Sequence, residues 1–207
     1  DGGGRALDVG CGAGQLVVGL AAQGWAATGC DLALLQVDAA HRRLAAADRP
    51  PSVLQADGEG LPFADASFAA VTALGYIEYL PDLARALAEM ARVTAPGGRV
   101  VVTAPNRLRL NYLADPVGVL RGYLSPNHRG YHRHYLTRLS LERLIRAAGL
   151  RPEVVDGHGL GGFTLAGFPL LAPARAIALD GRLQRRLPAA VSAALGADLV
   201  ALAVKPG

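Results

Sequence analysis

Short apolar runs alternate with stretches of helical periodicity through the first half of the chain, and most runs stop on an acid or a glycine. The first run is Arg5 to Val9, after which Leu16, Val17, Leu20 and Ala21 recur at helical spacing until Gly24 closes the helix. A second strand over Trp25 to Cys30 ends on Asp31, and a helix follows from about Leu34 to Ala47. Pro50-Pro51 separates it from a third strand, Ser52 to Ala56, which ends on Asp57. Phe68 to Leu74 is the fourth strand. Asp82 can cap the next helix, whose Leu83, Leu87 and Met90 share a face, and Pro96-Gly97-Gly98 ends it before a fifth strand over Arg99 to Ala104. Strand alternating with helix in this way predicts a parallel sheet covered on both faces.

Beyond Pro105 the rhythm breaks. Residues 105 to 136 mix prolines, tyrosines, histidines and arginines without a sustained period, and residues 158 to 197 form a second irregular, mostly helical excursion. Both are expected as insertions over the carboxyl ends of the strands, forming a substrate lid. Between them, Thr137 caps a helix with Leu141, Leu144, Ile145 and Ala148 on one stripe and Gly149 at its end, followed by a strand over Pro152 to Asp156. Asp198 to Lys205 is a last strand, of the kind that tucks in antiparallel beside its neighbours. The expected fold is therefore α/β: a Rossmann-like, doubly wound, mostly parallel seven-stranded sheet with one antiparallel strand near the C-terminus. Residues 1–207 form a single domain on this reading.

Composition narrows the class. With 207 residues, 51% apolar and 18% charged, the chain can bury a full core and lacks the marks of disorder. The net charge of +4 comes mostly from scattered arginine, which permits an acidic partner without requiring one. Two cysteines, Cys11 and Cys30, make neither a disulfide framework nor a four-ligand zinc site, and a reducing, cytoplasmic setting follows most simply. The run Gly159 to Ala174 is uncharged but carries Pro169 and Pro173 and is too short to span a bilayer. It is expected to pack as a lid or substrate wall, with membrane-surface contact the lesser alternative. The only methionine is Met90 and the chain starts at Asp1, so an upstream segment, which could carry a catalytic lid, is expected.

The chemistry concentrates at Leu7-Asp8-Val9-Gly10-Cys11-Gly12-Ala13-Gly14, where a strand ends on an acid and passes into glycines at every second position. Glycine lets backbone approach a ligand, and the carboxylate suits a ligand bearing a cationic amine. A dinucleotide fingerprint would place its third glycine at the position held by Gln15. Asp31, nineteen residues after Gly12, can accept hydrogen bonds from a ribose diol. Asp57 can accept from an adenine amine, with the Gly58 amide meeting a ring nitrogen. This set points to S-adenosyl-L-methionine.

Motif and context then agree. The acid-x-Gly-x-Gly-x-Gly turn resembles motif I of the class I S-adenosylmethionine-dependent methyltransferases. Ala56-Asp57-Gly58-Glu59-Gly60-Leu61-Pro62-Phe63-Ala64-Asp65-Ala66-Ser67-Phe68 and Arg92-Val93-Thr94-Ala95-Pro96-Gly97-Gly98-Arg99-Val100 are similar to segments of the ubiquinone and menaquinone biosynthesis type. The likeness runs from residue 5 to about 106, and more weakly over Thr137 to Leu150. It implies that Gly10, Cys11, Gly12 and Gly14 line the methionine portion and that Asp8 holds its amino group. It further implies Asp31 with Leu32 at the ribose, Asp57 with Gly58 at the adenine, and the backbone of Leu74 facing the cofactor. The chain departs from the pattern at Ala69, where many relatives have an acid, and at Tyr79, where many have a histidine.

Methyl transfer from a sulfonium needs mainly alignment and exclusion of water, plus a base for a phenol or amine nucleophile. The candidates are Glu78, Tyr76, Tyr79, His128, His132 and His134. His132 and His134, two apart, would share one side of an extended segment, but no acid accompanies them and no metal is expected. Arg129, Arg133 and Arg138 make the same loop basic, suited to a carboxylate or phosphate on the acceptor. The expected activity is methylation of a small molecule, with hydroxyl oxygen favoured by the resemblance. The rivals are a noncatalytic binder of the same cofactor and a nicotinamide oxidoreductase. Nucleic acid is not an expected partner, because no Arg/Lys run, aromatic stacking series or Asn-Pro-Pro-Tyr-type segment is present.

Overall fold

Seven strands form the sheet that the apolar runs predict. The computed structural model describes residues 3–50, 52–108, 133–159 and 196–207, with scattered positions in the two longer intervening segments; among these, Thr164–Leu165 and Phe168–Pro169 pair as a short antiparallel hairpin where a mostly helical excursion is expected. In chain order the elements are β1 (Arg5–Val9), α1 (Gln15–Ala22), β2 (Ala26–Asp31), α2 (Leu34–Ala46), β3 (Val53–Gln55) and β4 (Phe68–Ala73). A 3-10 turn (Ile77–Tyr79), α3 (Leu83–Val93), β5 (Thr94–Pro105), α4 (Arg138–Ala147), β6 (Arg151–His158) and β7 (Asp198–Val204) follow. The strand order is β3-β2-β1-β4-β5-β7-β6. β7 runs antiparallel to both its neighbours, while the pairs from β3 to β5 are parallel. The order reverses between β1 and β4, which is where doubly wound sheets open a ligand crevice.

Period-two burial builds the layers. Leu7 and Val9 of β1 join Phe68, Leu87, Met90 and Ile145 in one core beneath α3 and α4. A second core places Val17 of α1 and Val37, Ala40 and Leu44 of α2 against Ala27 and Val53 of the other face. The cap at Asp82 forms as expected, its Oδ1 accepting from the Arg85 amide at 3.0 Å. Thr137 and Ser140 exchange side-chain and backbone bonds in a capping box at the start of α4.

The sequence places the fifth strand too late. Pro96-Gly97-Gly98 does not precede β5 but lies inside it, because the extended backbone begins at Thr94, directly on the end of α3. The register against β4 shifts there, from Phe68↔Thr94 to Ala70↔Arg99, and Gly97 takes φ 74°. Lys205 makes this junction possible: its Nζ donates to the carbonyls of Arg92 and Thr94 at 3.3 and 2.7 Å, satisfying helix-end acceptors with a cation.

Arg92 explains the long loop before β4. Its guanidinium grips Glu89 through both carboxylate oxygens at 2.8 Å and donates to the carbonyls of Leu61 (2.9 Å) and Phe63 (2.8 Å) and to Asp65 (2.7 Å). Three of these five donor bonds hold residues 61–65 onto α3, and the two to Glu89 fix the planar fork on the helix. Arg92→Ala is therefore expected to cost about 3 kcal/mol, a melting temperature lower by about 6–12 °C. Arg92→Lys should recover little of it. An unchanged thermal transition in the alanine variant would remove Arg92 as the anchor.

Candidate active site

The crevice is built by three strand ends. After Val9 the chain turns through Gly10, Gly12 and Gly14, all left-handed at φ 69°, 51° and 73°, which is why glycine recurs at every second position. The Gly10 and Cys11 amides both donate to the Cys30 carbonyl, at 2.8 and 3.0 Å, fastening the turn to β2. Asp31 fastens it again: Oδ2 accepts from the Gly12 amide and Oδ1 from the Ala33 amide, each at 2.9 Å. Each oxygen keeps a lone pair for a further donor. Gly14 serves packing, since a Cβ there would lie 2.9 Å from the Cβ of Ala40 on α2.

Asp8 is buried at 4% exposure, yet lines a cavity of about 430 Å³ with Gly10, Cys11, Gln15, Leu16, Gly19 and Leu74. Burial pushes its carboxyl up to about 6, against a hydrogen bond from Thr72 and with the help of the Asp31 charge. Thr72 Oγ1 donates to Asp8 Oδ1 at 2.7 Å. Nothing in the linear sequence flags Thr72; only the register Asp8↔Thr72 between β1 and β4 brings it there. Thr103 is a second such residue, its Oγ1 accepting from the Gly75 amide at 2.7 Å and steadying the exit of β4 beside Leu74.

Cys11 and Cys30 are free and buried, and desolvation first of all pushes both thiols up to about 12. They fill space as protonated thiols and supply no thiolate nucleophile. Leu32 and Leu74 are exposed at 58% and 44%, leaving apolar surface beside Asp31 and at the end of β4. Asp57 Oδ1 accepts from the Glu59 amide at 2.9 Å in a local turn. The Gly58 amide, expected to face a ring nitrogen, instead donates to the Tyr76 hydroxyl at 3.2 Å.

The candidate bases are partly engaged. His134 ties the returning chain to the 3-10 turn, its amide donating to the Glu78 carbonyl at 2.8 Å and its Nε2 bonding the Leu80 carbonyl at 3.0 Å. Glu78 is buried, with Arg133 3.3 Å from Oε1, and Arg133 lies over the rings of Tyr79 and Tyr135. Glu78 Oε2 finds no partner among the described residues. Burial pushes the Tyr76 phenol up to about 12, so it keeps its proton and is a poor base at neutral pH. His128 and His132 lie outside the described residues, as does most of the expected lid. Among the described residues no group of three or more His, Cys, Asp or Glu could hold a metal, and no helix is long and apolar enough to cross a membrane.

A sheet ordered 3-2-1-4-5-7-6, with a glycine turn and an acid at the ends of β1 and β2, defines the class I S-adenosylmethionine-dependent methyltransferase fold. Residues 7–102 match the family described as Methyltransferase domain. The chain is 34% identical over 160 residues to the ubiquinone biosynthesis O-methyltransferase of Xylella fastidiosa, covering 75% of this chain and 64% of that one. It is 32% identical over 156 residues to the enzyme of the same name from Thiobacillus denitrificans, covering 74% and 67%. A solved S-adenosylmethionine-dependent methyltransferase from Methanosarcina mazei superposes with a TM-score of 0.67 at 19% identity, covering 100% of this chain and 94% of that one. The chain belongs to the S-adenosylmethionine-dependent methyltransferase family. It spans about two thirds of the length of the two enzymes from Xylella and Thiobacillus.

Proposed function

We propose that this chain binds S-adenosyl-L-methionine and directs its methyl group to a small-molecule acceptor, with hydroxyl oxygen preferred. The observation that carries the reading is Asp8: a buried carboxyl, lifted to about 6, that lines an open cavity under a glycine turn. Such a group is stabilised by a ligand that brings a cation, and the methionine ammonium is one. Asp31 offers its remaining lone pairs to the ribose hydroxyls, and Leu32 an apolar face to the nucleoside. Asp57 and Gly58 lie on the adenine side, while Gly10, Cys11, Gly12, Gly14 and Leu74 line the methionine portion. The preference for oxygen is supported by the names of the two bacterial relatives.

The cofactor supplies a methyl group already activated on a cationic sulfur, so the protein must mainly align the acceptor and exclude water. The segment carrying Arg133, His134 and Tyr135 is laced to residues 78–80, just beyond the end of β4. There Glu78, buried with its Oε1 3.3 Å from Arg133, is our candidate to take a proton from an acceptor hydroxyl. In our reading residues 1–207 are one domain, with segments 105–136 and 158–197 as insertions that form a substrate lid. Two free, buried thiols suit a reducing cytoplasmic setting.

Calorimetry with S-adenosylhomocysteine, then transfer of labelled methyl to a panel of phenols, amines and carboxylic acids, tests the reading. Binding and labelling of phenolic oxygen are expected. Binding without transfer to any acceptor would favour a noncatalytic module, and tight binding of a nicotinamide dinucleotide alone would overturn the assignment.

A further inference from the structure

Tyr76 occupies a position that the glycine turn does not announce. Just past the end of β4, its side chain folds back across the end of β1. A Cβ on Gly10 would collide with Cβ, Cγ and Cδ2 of Tyr76. One on Gly58 would stand 2.6 Å from its hydroxyl oxygen and 2.8 Å from Cε1. The ring thus fills a slot walled by two glycines, one in the turn after β1 and one in the turn after β3. The bare α-carbon at Gly10 makes room for this ring as much as for any ligand.

The hydroxyl has a defined polarity. It accepts from the Gly58 amide at 3.2 Å, and among the described residues no acceptor takes its own O–H. Burial is the main reason the phenol holds its proton, and its bond from the Gly58 amide sets the hydroxyl against the residue that follows Asp57. A proton-bearing donor therefore sits beside the turn that carries Asp57, the acid assigned above to the adenine. The Gly58 amide, already given to Tyr76, is not free to read the base by itself.

We propose that Tyr76 is the base-reading residue of the nucleoside site: its O–H, aligned by the Gly58 amide, donates a hydrogen bond to N1 of the adenine ring. N1 is the acceptor adjoining the exocyclic amine assigned to Asp57, the neighbour of Gly58. This rests on the methyl-donor reading above. The relay runs from amide to hydroxyl to ring nitrogen, and it selects a base whose N1 accepts over one whose N1 carries hydrogen.

The probes are S-adenosylhomocysteine and S-inosylhomocysteine, whose hypoxanthine N1 carries hydrogen, titrated into wild type and Tyr76→Phe. The phenylalanine ring keeps the slot filled, and an unchanged melting temperature checks that it does. Tyr76→Phe is expected to bind S-adenosylhomocysteine about tenfold more weakly and to lose a similar factor of its preference over the inosine compound. The KM for the methyl donor should rise while kcat at saturation holds. Equal or tighter binding of S-adenosylhomocysteine by Tyr76→Phe overturns the proposal, the tighter case showing that the hydroxyl only competes for the Gly58 amide. Wild type that binds neither compound removes the methyl-donor reading, and this proposal with it.

Discussion

Asp31→Ala should lower affinity for S-adenosylhomocysteine by two orders of magnitude or more, roughly 3 kcal/mol, the largest single loss expected in the site. Two effects act together. The carboxylate holds the Gly12 and Ala33 amides at 2.9 Å each, so its removal leaves both donors unpaired and loosens the turn on which the methionine portion rests. It also removes the charged acceptor proposed for the ribose diol, a geometry in which hydrogen bonds are stronger than neutral ones. Asp31→Asn separates the two. Its carbonyl oxygen can still receive one amide, but its NH2 would face a second backbone N–H, so partial order of the turn should return while binding stays weak. Calorimetry reads the affinity, and hydrogen exchange at Gly12 reads the turn. A loss of less than about threefold in Asp31→Ala would exclude Asp31 from the cofactor site.

The same residue shows what was legible in the sequence. Its place at the end of β2, nineteen residues after Gly12, follows from local periodicity and turn chemistry, and so do Asp8 and the order of helices and strands. These depend on neighbours in sequence, which patterns report well. Thr72 under Asp8, Thr103 under Gly75 and Tyr76 over Gly10 depend on strand register, which no single segment carries. The start of β5 is illegible for a related reason. Pro96-Gly97-Gly98 has the composition of a helix stop, but Lys205, more than a hundred residues away, satisfies the carbonyls at the junction and lets the strand begin at Thr94. Acceptor choice is least legible, because the segments we propose for it, 105–136 and 158–197, carry no sustained sequence period.

Asp8→Asn should stabilise the protein at pH 8 while weakening its hold on the cofactor. The Asp8 carboxyl lies at about 6 in the folded chain against 3.8 as its ordinary value, chiefly because burial disfavours the charge. The folded state therefore binds the proton more tightly than the unfolded state. Its contribution to stability is full below about pH 4, is lost as pH rises through 6, and leaves a cost of about 3 kcal/mol above pH 7. Asparagine carries no charge and keeps an oxygen for Thr72, so the variant should match wild type near pH 4 and exceed it at pH 8 in urea unfolding. The cofactor's ammonium would offset the same cost by a different route, because a cation beside Asp8 favours ionisation. Wild-type binding of S-adenosylhomocysteine should therefore release a proton and tighten as pH rises through 6. The asparagine variant should bind more weakly and lose that dependence. An Asp8→Asn protein less stable than wild type at pH 8 would mean that the charge is already matched inside the empty site, and the argument from Asp8 to a cationic ligand would fall.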